Sequence, residues 1–342
     1  MAGRKWLLRP LLLALLAVVG CGRGPQAPGK APLLQDLAPL QDQLDSVRLR
    51  GAGNAVLVTL RKQDGSWRVV EQDGWPADAG RLSQYLFVLS QAHRLEAKTA
   101  NPALYARLGV QPVSGADATG SELELSGGGH QWRLLIGHEH SKLDRNYVRV
   151  DGQAQSWLTD LPVDFDRDPV SWLDRRLVDL PLARIARVQV KDRTGESFSL
   201  SHRDDRFRLD DAPSAAMHDS HQGDAMAAAL DQLQFDRLAR DDGKAVLERE
   251  LIYTAVDGSE LRLQAWHDGE QVWVRLSASL AEARAAAWLR ETGGKPAELA
   301  QLRARTDQWN GRFRGRRFQV SAALANTLML SHQQILAGAP AP

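Results

Sequence analysis

The chain has 342 residues, of which 43% are hydrophobic and 25% charged, a balance typical of a globular protein long enough for two domains. Lys and Arg total 43 against 42 Asp and Glu, so there is no basic excess to indicate a nucleic-acid partner. Cys21 is the only cysteine, which excludes an internal disulfide, a Cys-based zinc site and a Cys-x-x-Cys redox pair.

Residues 1–20 have the layout of a secretory signal peptide. Arg4, Lys5 and Arg9 form a basic start, and an apolar run over 11–19 follows. This run is shorter than the roughly 20 residues that a membrane-spanning helix needs. We therefore expect cleavage, with a short membrane anchor as the alternative. Cleavage would leave 40 basic and 42 acidic side chains, a formal charge of −2.

The end of this segment resembles the lipobox of bacterial lipoproteins. Its residues are Val18, Val19, Gly20 and Cys21. The resemblance implies cleavage before Cys21, lipidation of its thiol with palmitate among the acyl chains, and attachment to the lipid bilayer. Several acyl chains anchor a protein durably where one is marginal. Gly22, in place of Asp, implies the outer rather than the inner membrane.

A proline-rich segment follows the cysteine. Prolines alternate with Gly, Ala and Gln in it, which is typical of a semi-extended spacer. We assign residues 21–45 to the lipidated cysteine and a flexible tether. Leucines at positions 33, 37, 40 and 44 have helical spacing, so a short amphipathic helix over 33–44 is compatible with this stretch.

Alternation of apolar and polar residues then indicates a first unit over 46–167. It predicts strands over 47–50 and 56–61, a turn at Asp64-Gly65, and a returning strand over 66–70. A helix with an apolar stripe at Leu82, Tyr85, Leu86 and Leu89 comes next. Strands over 123–125, 132–136 and 147–150 complete the unit.

The same pattern returns about 140 positions later. It predicts strands over 188–191, 198–201, 206–209, 251–254, 261–266 and 272–276, with a helix whose stripe is Met226, Leu230 and Leu233. The fold class expected is therefore α+β, with two tandem, duplicated units of antiparallel sheet and packed helices. The alternative is chance similarity, because alternating strands resemble one another by physics alone.

The remaining segments connect and close the two units. Asp168 and Pro169 have the spacing of an N-cap and a first helical residue, which predicts a helix over 169–177 in a connector at 168–183. The second unit spans 184–337, with helices over 281–291 and 296–305, a strand over 317–320 and a final helix over 321–336. We expect a disordered tail at 338–342.

Five segments between residues 56 and 176 carry a family resemblance. They are 65–67, 105–110 with Pro112, 134–137, 147–149 and 168–175. Together they resemble a bacterial envelope family of unknown function, found beside components of gliding-motility-type ABC transporters. The resemblance implies an envelope protein near a transporter. It supplies no catalytic residues, because none is established for the family.

The histidines are the main candidates for metal chemistry. His138 and His140 would face one side of a strand, which makes them, with Asp144, weak candidate metal ligands. Two nearby histidines are not a full coordination set, and the interpretation favoured is a polar loop. No metal and no other cofactor is therefore predicted. His218 and His221 lie in a polar stretch that is interpreted as a solvated loop.

Acidic pairs and tryptophans give weaker signals. Asp164 and Asp166 are close in sequence, which does not place two carboxylates across a catalytic cleft, and they are interpreted as loop and cap residues. Trp75, Trp157 and Trp309 are expected near turns, where they could line a binding surface. The edge of the core is the role favoured for all three.

These observations favour a non-catalytic, membrane-anchored lipoprotein on the periplasmic face of the cell envelope. It would bind or scaffold an envelope protein partner, with an ABC transporter system as one candidate. The first alternative is a periplasmic carrier or sensor of an apolar ligand. The second is a metal-assisted hydrolase of envelope polymers acting around His138 and His140.

Overall fold

Two large antiparallel sheets dominate the computed structural model, which describes residues 31–203, 205–211 and 221–337. The predicted signal peptide, Cys21 with Val18, Val19 and Gly20, the start of the tether, His218 and the tail at 338–342 lie outside the described residues.

The first sheet has nine described strands. They are β1 Leu44–Arg50, β2 Val56–Gln63, β3 Ser66–Val69, β4 Trp75–Pro76, β5 Arg94–Ala97, β6 Ser121–Gly127, β7 His130–Glu139, β8 Asn146–Val150 and β9 Ser156–Thr159. Their order is β4-β3-β2-β1-β6-β7-β8-β9-β5. Asp64 (φ 49°) and Gly65 (φ 77°) join β2 to β3, in the left-handed conformation that a two-residue hairpin turn requires.

The second sheet has eight described strands, and a separate pair is formed by β10 Arg176–Val178 and β14 Leu233–Gln234. The strands of the sheet are β11 Ile185–Asp192, β12 Ser197–Arg203, β13 Arg206–Leu209, β15 Arg237–Arg240, β16 Arg249–Ala255, β17 Ser259–Asp268, β18 Gln271–Leu280 and β19 Arg316–Gln319. Their order is β13-β12-β11-β16-β17-β18-β19-β15.

The two sheets share one topology once β4 is set aside. Each has three consecutive antiparallel strands at one end, then four more in chain order, and a strand from the middle of the unit at the far edge. The α+β class with large antiparallel sheets is confirmed. The common strand order supports the duplication, whose shared origin stays a prediction.

Eight α-helices are described. They are α1 Leu37–Leu40, α2 Ala79–Gln91, α3 Tyr105–Leu108, α4 Gln222–Ala227, α5 Glu282–Thr292, α6 Pro296–Phe313, α7 Ala322–Leu328 and α8 His332–Ala337. The helix predicted around residue 85 is confirmed as α2. It begins after Asp78, whose side chain accepts a hydrogen bond from the Arg81 amide, and it buries Leu82, Leu86 and Leu89.

One continuous hydrophobic core includes residues of both units. Trp75 of β4 is 1% exposed, and its ring centroid lies 5.4 Å from Phe235 and 5.5 Å from Phe318, both from the second unit. The Trp75 indole N–H donates to the carbonyl of Asp174 at 2.8 Å. Trp75 is therefore a central core residue at the joint between the units, rather than a residue at the core edge.

The connector differs from the predicted helix over 169–177. Asp168 does cap a helical turn, accepting from the Val170 amide, but that turn is a 3₁₀ helix that ends at Trp172. Leu173 then forms a bridge with Ala77, and β10 pairs with β14. The chain is extended here because its backbone groups pair with both units instead of with each other.

The tether assignment is corrected for residues 31–45. Leu33 and Leu37 are fully buried, and the Leu33 amide donates to the carbonyl of Ala92 at 2.8 Å. The amphipathic helix over 33–44 is reduced to α1 and a 3₁₀ turn at Gln41–Gln43, because β1 already begins at Leu44. Burial of the leucines fixes this segment onto the first unit.

Three helix predictions need smaller corrections. The stripe of Met226, Leu230 and Leu233 is buried, but α4 ends at Ala227 and Leu233 lies in β14. The final helix over 321–336 is interrupted between α7 and α8. The helix predicted over 296–305 continues to Phe313 as α6, so Trp309 lies in a helix and not near a turn.

Candidate functional site

A cleft of about 520 Å³ lies on the first unit, between α2 and the segment 162–172. Four side chains of α2 line it: Arg81, Gln84, Tyr85 and Val88. Their spacing of three, four and seven residues places them on one helix face, beside the stripe that enters the core. Helix α2 therefore has one face buried in the core and a second face that lines the cleft.

The segment 162–167 forms the opposite wall of the cleft, and its side chains alternate between buried and cleft-facing positions, as in a strand. Val163 and Phe165 are buried, so the intervening Asp164 and the following Asp166 point towards the cleft. The Val163 amide donates to the buried Asn146 side chain at 2.9 Å, which ties the segment to β8. The alternation and this anchor together determine which carboxylates reach the cleft.

An aromatic cluster forms the base of the cleft. Phe165 stacks on Trp172 with centroids 4.1 Å apart, and Tyr85 meets Phe165 edge-on at 4.9 Å. The Tyr85 hydroxyl donates to the carbonyl of Val163, and the Trp172 indole donates to the carbonyl of Asp166, both at 3.0 Å. Burial raises the pKa of Tyr85 well above its usual value, so this phenol stays protonated.

Arg81 holds one charged side of the cleft in place. Its guanidinium pairs with the Asp166 carboxylate at 3.0 Å, donates to the carbonyl of Ser171 at 2.6 Å, and lies 4.8 Å from the centre of the Trp172 ring. Burial opposes ionisation of Asp166. Hydrogen bonds from the Asp168 amide and the Ser171 hydroxyl, together with Arg81, nevertheless hold the pKa of Asp166 below its usual value.

The negative charge of Asp164 is less well compensated by nearby cations and hydrogen bonds than that of Asp166. Loss of surrounding water raises its pKa, and the charges of Asp166 and Glu139 add to this effect, while Arg167 opposes it. Within the described residues no cationic side chain lies within 4.0 Å of Asp164. The cleft therefore combines an aromatic base, one fixed ion pair and one carboxylate with an altered pKa, features typical of binding sites.

The predicted metal candidates are not brought together. His138 Nε2 lies 2.9 Å from the Thr119 hydroxyl, whereas His140 Nδ1 accepts from the Lys142 amide at 3.3 Å. The register of β7 with β8 shifts between positions 136 and 139, which breaks the simple two-residue alternation. Asp144 lies in the loop beyond. In the described ranges no group of three or more His, Cys, Asp or Glu could hold a metal.

The other singled-out residues lie away from the cleft. His221 precedes α4, with its Nδ1 3.4 Å from the Arg206 guanidinium. Trp157 is half-buried in β9 with Arg94 over its ring. Trp309 is half-buried in α6, and neither tryptophan lines the cleft.

Arg81, Tyr85 and Trp172 were not recognised from the sequence as site residues. Asp164 and Asp166 were interpreted as loop residues. The available signals were the second stripe of α2 and the alternation over 162–167, but neither shows that the two segments face each other.

No helix of the described residues is long and apolar enough to cross a membrane. The sequence model of a family described as a domain of unknown function, DUF4340, matches residues 67–250, which is more than half of the chain. No match is found among curated proteins or solved structures. The chain, with its paired antiparallel sheets, therefore belongs to the DUF4340 family.

Proposed function

We propose that this protein is a lipid-anchored lipoprotein of the bacterial envelope that binds or scaffolds a protein partner without catalysing a reaction. The lipobox-like residues Val18, Val19, Gly20 and Cys21 support the anchor, and Gly22 supports the outer membrane. The folded part would then lie on the periplasmic face. Since Ala31 is ten positions beyond Cys21, the folded part would begin within about 35 Å of the anchor.

The cleft beside α2 is the observation that carries the binding role. Aromatic and arginine side chains are enriched in protein interfaces, and Tyr85, Trp172 and Arg81 supply both kinds in one concave surface. Phe87 is 60% exposed and follows Gln84 of the cleft by one helical turn. An exposed aromatic side chain beside such a cleft extends the apolar surface that a partner can cover.

The polar groups of the cleft favour recognition over catalysis. Arg81 and Asp166 are paired with each other, and the Tyr85 hydroxyl donates to a backbone carbonyl. The described lining contains no Ser, Cys or His that could act as a nucleophile or a base of neutral pKa. We propose that it accepts an apolar side chain of the partner, flanked by charged groups that meet Arg81 and Asp164.

The nature of the partner is proposed from the family resemblance alone, which points to a membrane component of an ABC transporter. The two alternatives have less support. The cleft is open and has arginine and aspartate on its rim, whereas a lipid carrier needs an enclosed apolar cavity. His138 and His140, on which the hydrolase depends, contact different partners.

Site-specific photocrosslinking in the native envelope tests the proposal. A photoreactive amino acid at position 87 is expected to crosslink to a membrane protein. The same residue at position 61 serves as the control, because Arg61 is exposed and follows the buried Leu60 onto the outer face of the sheet. Equal crosslinking at both positions, or none at 87, would exclude the cleft as the binding surface.

The anchor is tested separately by Cys21→Ser. We expect this variant to leave the membrane fraction or to accumulate unprocessed. Unchanged processing and fractionation would refute the lipoprotein part of the proposal, while the crosslinking at position 87 would still report on the partner.

A further inference from the structure

A second cleft, of about 350 Å³, lies at the joint between the two units. Its walls come from the start of α2, from the connector over 171–176, and from Gln234 of β14. Three arginines line it: Arg81, Arg175 and Arg176. We refer to it as the joint cleft.

The two carboxylates of the joint cleft already have partners. Asp78 caps α2 by accepting from the Arg81 amide at 2.9 Å. Asp174 accepts from the Arg312 guanidinium at 3.0 Å and from the Arg176 amide at 3.2 Å. Asp174 is thus paired with an arginine outside the cleft, and Asp78, which keeps its charge, forms no ion pair with Arg175 or Arg176 in the described residues.

With three arginines and two aspartates, the described lining of the joint cleft has a formal excess of one positive charge. In the described part of the chain, neither Arg175 nor Arg176 has a carboxylate within 4.0 Å. Other arginines of the same joint are paired, as Arg240 is with Asp73 at 2.6 Å. A guanidinium without a counter-charge attracts an anion, so an anion held in a cleft that both arginines line is stabilising.

The chemistry of these groups indicates the type of anion. A guanidinium presents parallel N–H donors that match the oxygens of a phosphate or a carboxylate, and several guanidiniums favour an anion with more than one charge. The cleft lining is almost wholly polar, with Ser171 and Gln234 beside the arginines, so it offers donors and little apolar surface to an organic ligand.

We propose that the joint cleft binds a phosphate group through Arg175 and Arg176, the two lining arginines that have no carboxylate partner among the described residues. The ligand would contact the connector beside elements of both units, and its binding would stabilise their joint. Its source is either free phosphate or the phosphate of a lipid headgroup. This site shares Arg81 with the cleft that carries the proposed partner binding, but Arg175 and Arg176 lie outside that cleft, and the site does not depend on the lipid anchor.

Calorimetric titration of the purified chain with inorganic phosphate, at constant ionic strength, tests the proposal. We expect saturable binding, with an increase in the thermal midpoint as the site fills. Glycerophosphoglycerol, the soluble headgroup of phosphatidylglycerol, is titrated in parallel. Tighter binding of this probe would assign the site to a headgroup, and tighter binding of phosphate would assign it to the free ion.

The double variant Arg175→Gln/Arg176→Gln should weaken phosphate binding by about tenfold or more, since each lost interaction with a charged group is substantial. The matched control Arg61→Gln removes one exposed guanidinium elsewhere and should bind as the wild type does. The backbone of residue 175 still accepts from the Phe235 amide in the double variant, so its fold should persist. If the double variant does not fold, phosphate binding is measured on the single variant Arg176→Gln, which changes an exposed residue.

Three results would overturn the proposal. They are unchanged phosphate binding by a folded double variant, equal stabilisation by chloride at the same ionic strength, and no saturable binding of either probe. Equal stabilisation by chloride would show that the arginines respond only to salt screening, and the absence of saturable binding would show that the joint cleft does not take a phosphate.

Discussion

The two units have the same strand order and very different insertions. In the first unit a short turn at 151–155 joins β8 to β9, whereas in the second unit α5 and α6 lie between the corresponding strands β18 and β19. The connection between β5 and β6 in the first unit is longer, because it spans residues 98–120 and contains α3. The corresponding connection between β15 and β16 spans only residues 241–248. The sheet is the common part, and the insertions give each unit its own surface.

The contrast extends to one equivalent turn. Gly128 and Gly129 join β6 to β7 at an exposed hairpin, whereas Asp257 and Gly258 join β16 to β17 beneath the inserted helices. Asp257 is fully buried and pairs with Arg184 at 2.8 Å and with Arg305 of α6 at 2.6 Å. An ion cluster thus fastens the insertion of the second unit.

This difference shows how one sheet topology can carry a covered surface in one unit and an open surface in the other. In the second unit the inserted helices pack on the sheet, and Asn310 of α6 exchanges hydrogen bonds with the backbone of Ala278 in β18. In the first unit, one face of α2 remains open and lines the cleft that we propose as the site of partner binding, called the partner cleft below. Variants at the joint, in the ion cluster and in the partner cleft can test this division.

The largest effect is expected from Trp75→Ala at the joint. Removing this buried indole leaves a cavity between the units and should lower the free energy of unfolding by about 3–5 kcal/mol. Urea denaturation measures the loss. Trp273→Ala, at a half-buried tryptophan of β18, is the control and should cost clearly less. Equal losses would contradict a shared core that depends on Trp75.

Asp257→Asn should be the next most damaging change. It leaves Arg184 and Arg305 without their buried counter-charge, a loss that typically costs about 3 kcal/mol or more. The matched control is Asp268→Asn, since Asp268 is an exposed residue paired with Arg317 at 3.0 Å. Its loss should cost less than about 1 kcal/mol. Similar unfolding free energies for the two variants would show that the ion cluster does not fasten α6.

The same carboxylate predicts a pH dependence. Burial opposes ionisation of Asp257, but hydrogen bonds from Arg305 and Ser259 and the charge of Arg305 hold its pKa below the usual value. A lowered pKa in the folded state stabilises the protein above the unfolded value, near pH 4, and this contribution is lost as the pH falls further. Denaturation between pH 7 and pH 3 should therefore show a smaller stability loss for Asp257→Asn than for the wild type.

Asp164→Asn in the partner cleft should change the free energy of unfolding least. Unlike the other variants, it should not lower this free energy. Because the pKa of Asp164 is raised, the folded state binds its proton more readily, and stability decreases as the pH rises through that pKa. Removing the charge at pH 7 should therefore leave stability unchanged or raise it by less than about 1 kcal/mol. A clear destabilisation in urea would show that Asp164 has a stabilising partner.

Local patterns were sufficient for much of the fold. Alternation located the main strands, Asp64-Gly65 located a hairpin turn, and Asp168 was recognised as a cap. The prediction of a helix over 169–177 was wrong because the backbone of Leu173 pairs with that of Ala77, which is far away in the sequence. Local propensity contains no information about such a partner.

The amino-acid sequence by itself determined the α+β class, the approximate strands, and which faces of α2 are apolar or polar. Only the tertiary structure decided that α2 faces the segment 162–172 and that Arg175 and Arg176 meet Arg81 in one cleft. The reason is physical. Strands and caps depend on neighbours a few residues away, whereas both clefts depend on surfaces that come together only when the two sheets and the connector share one core.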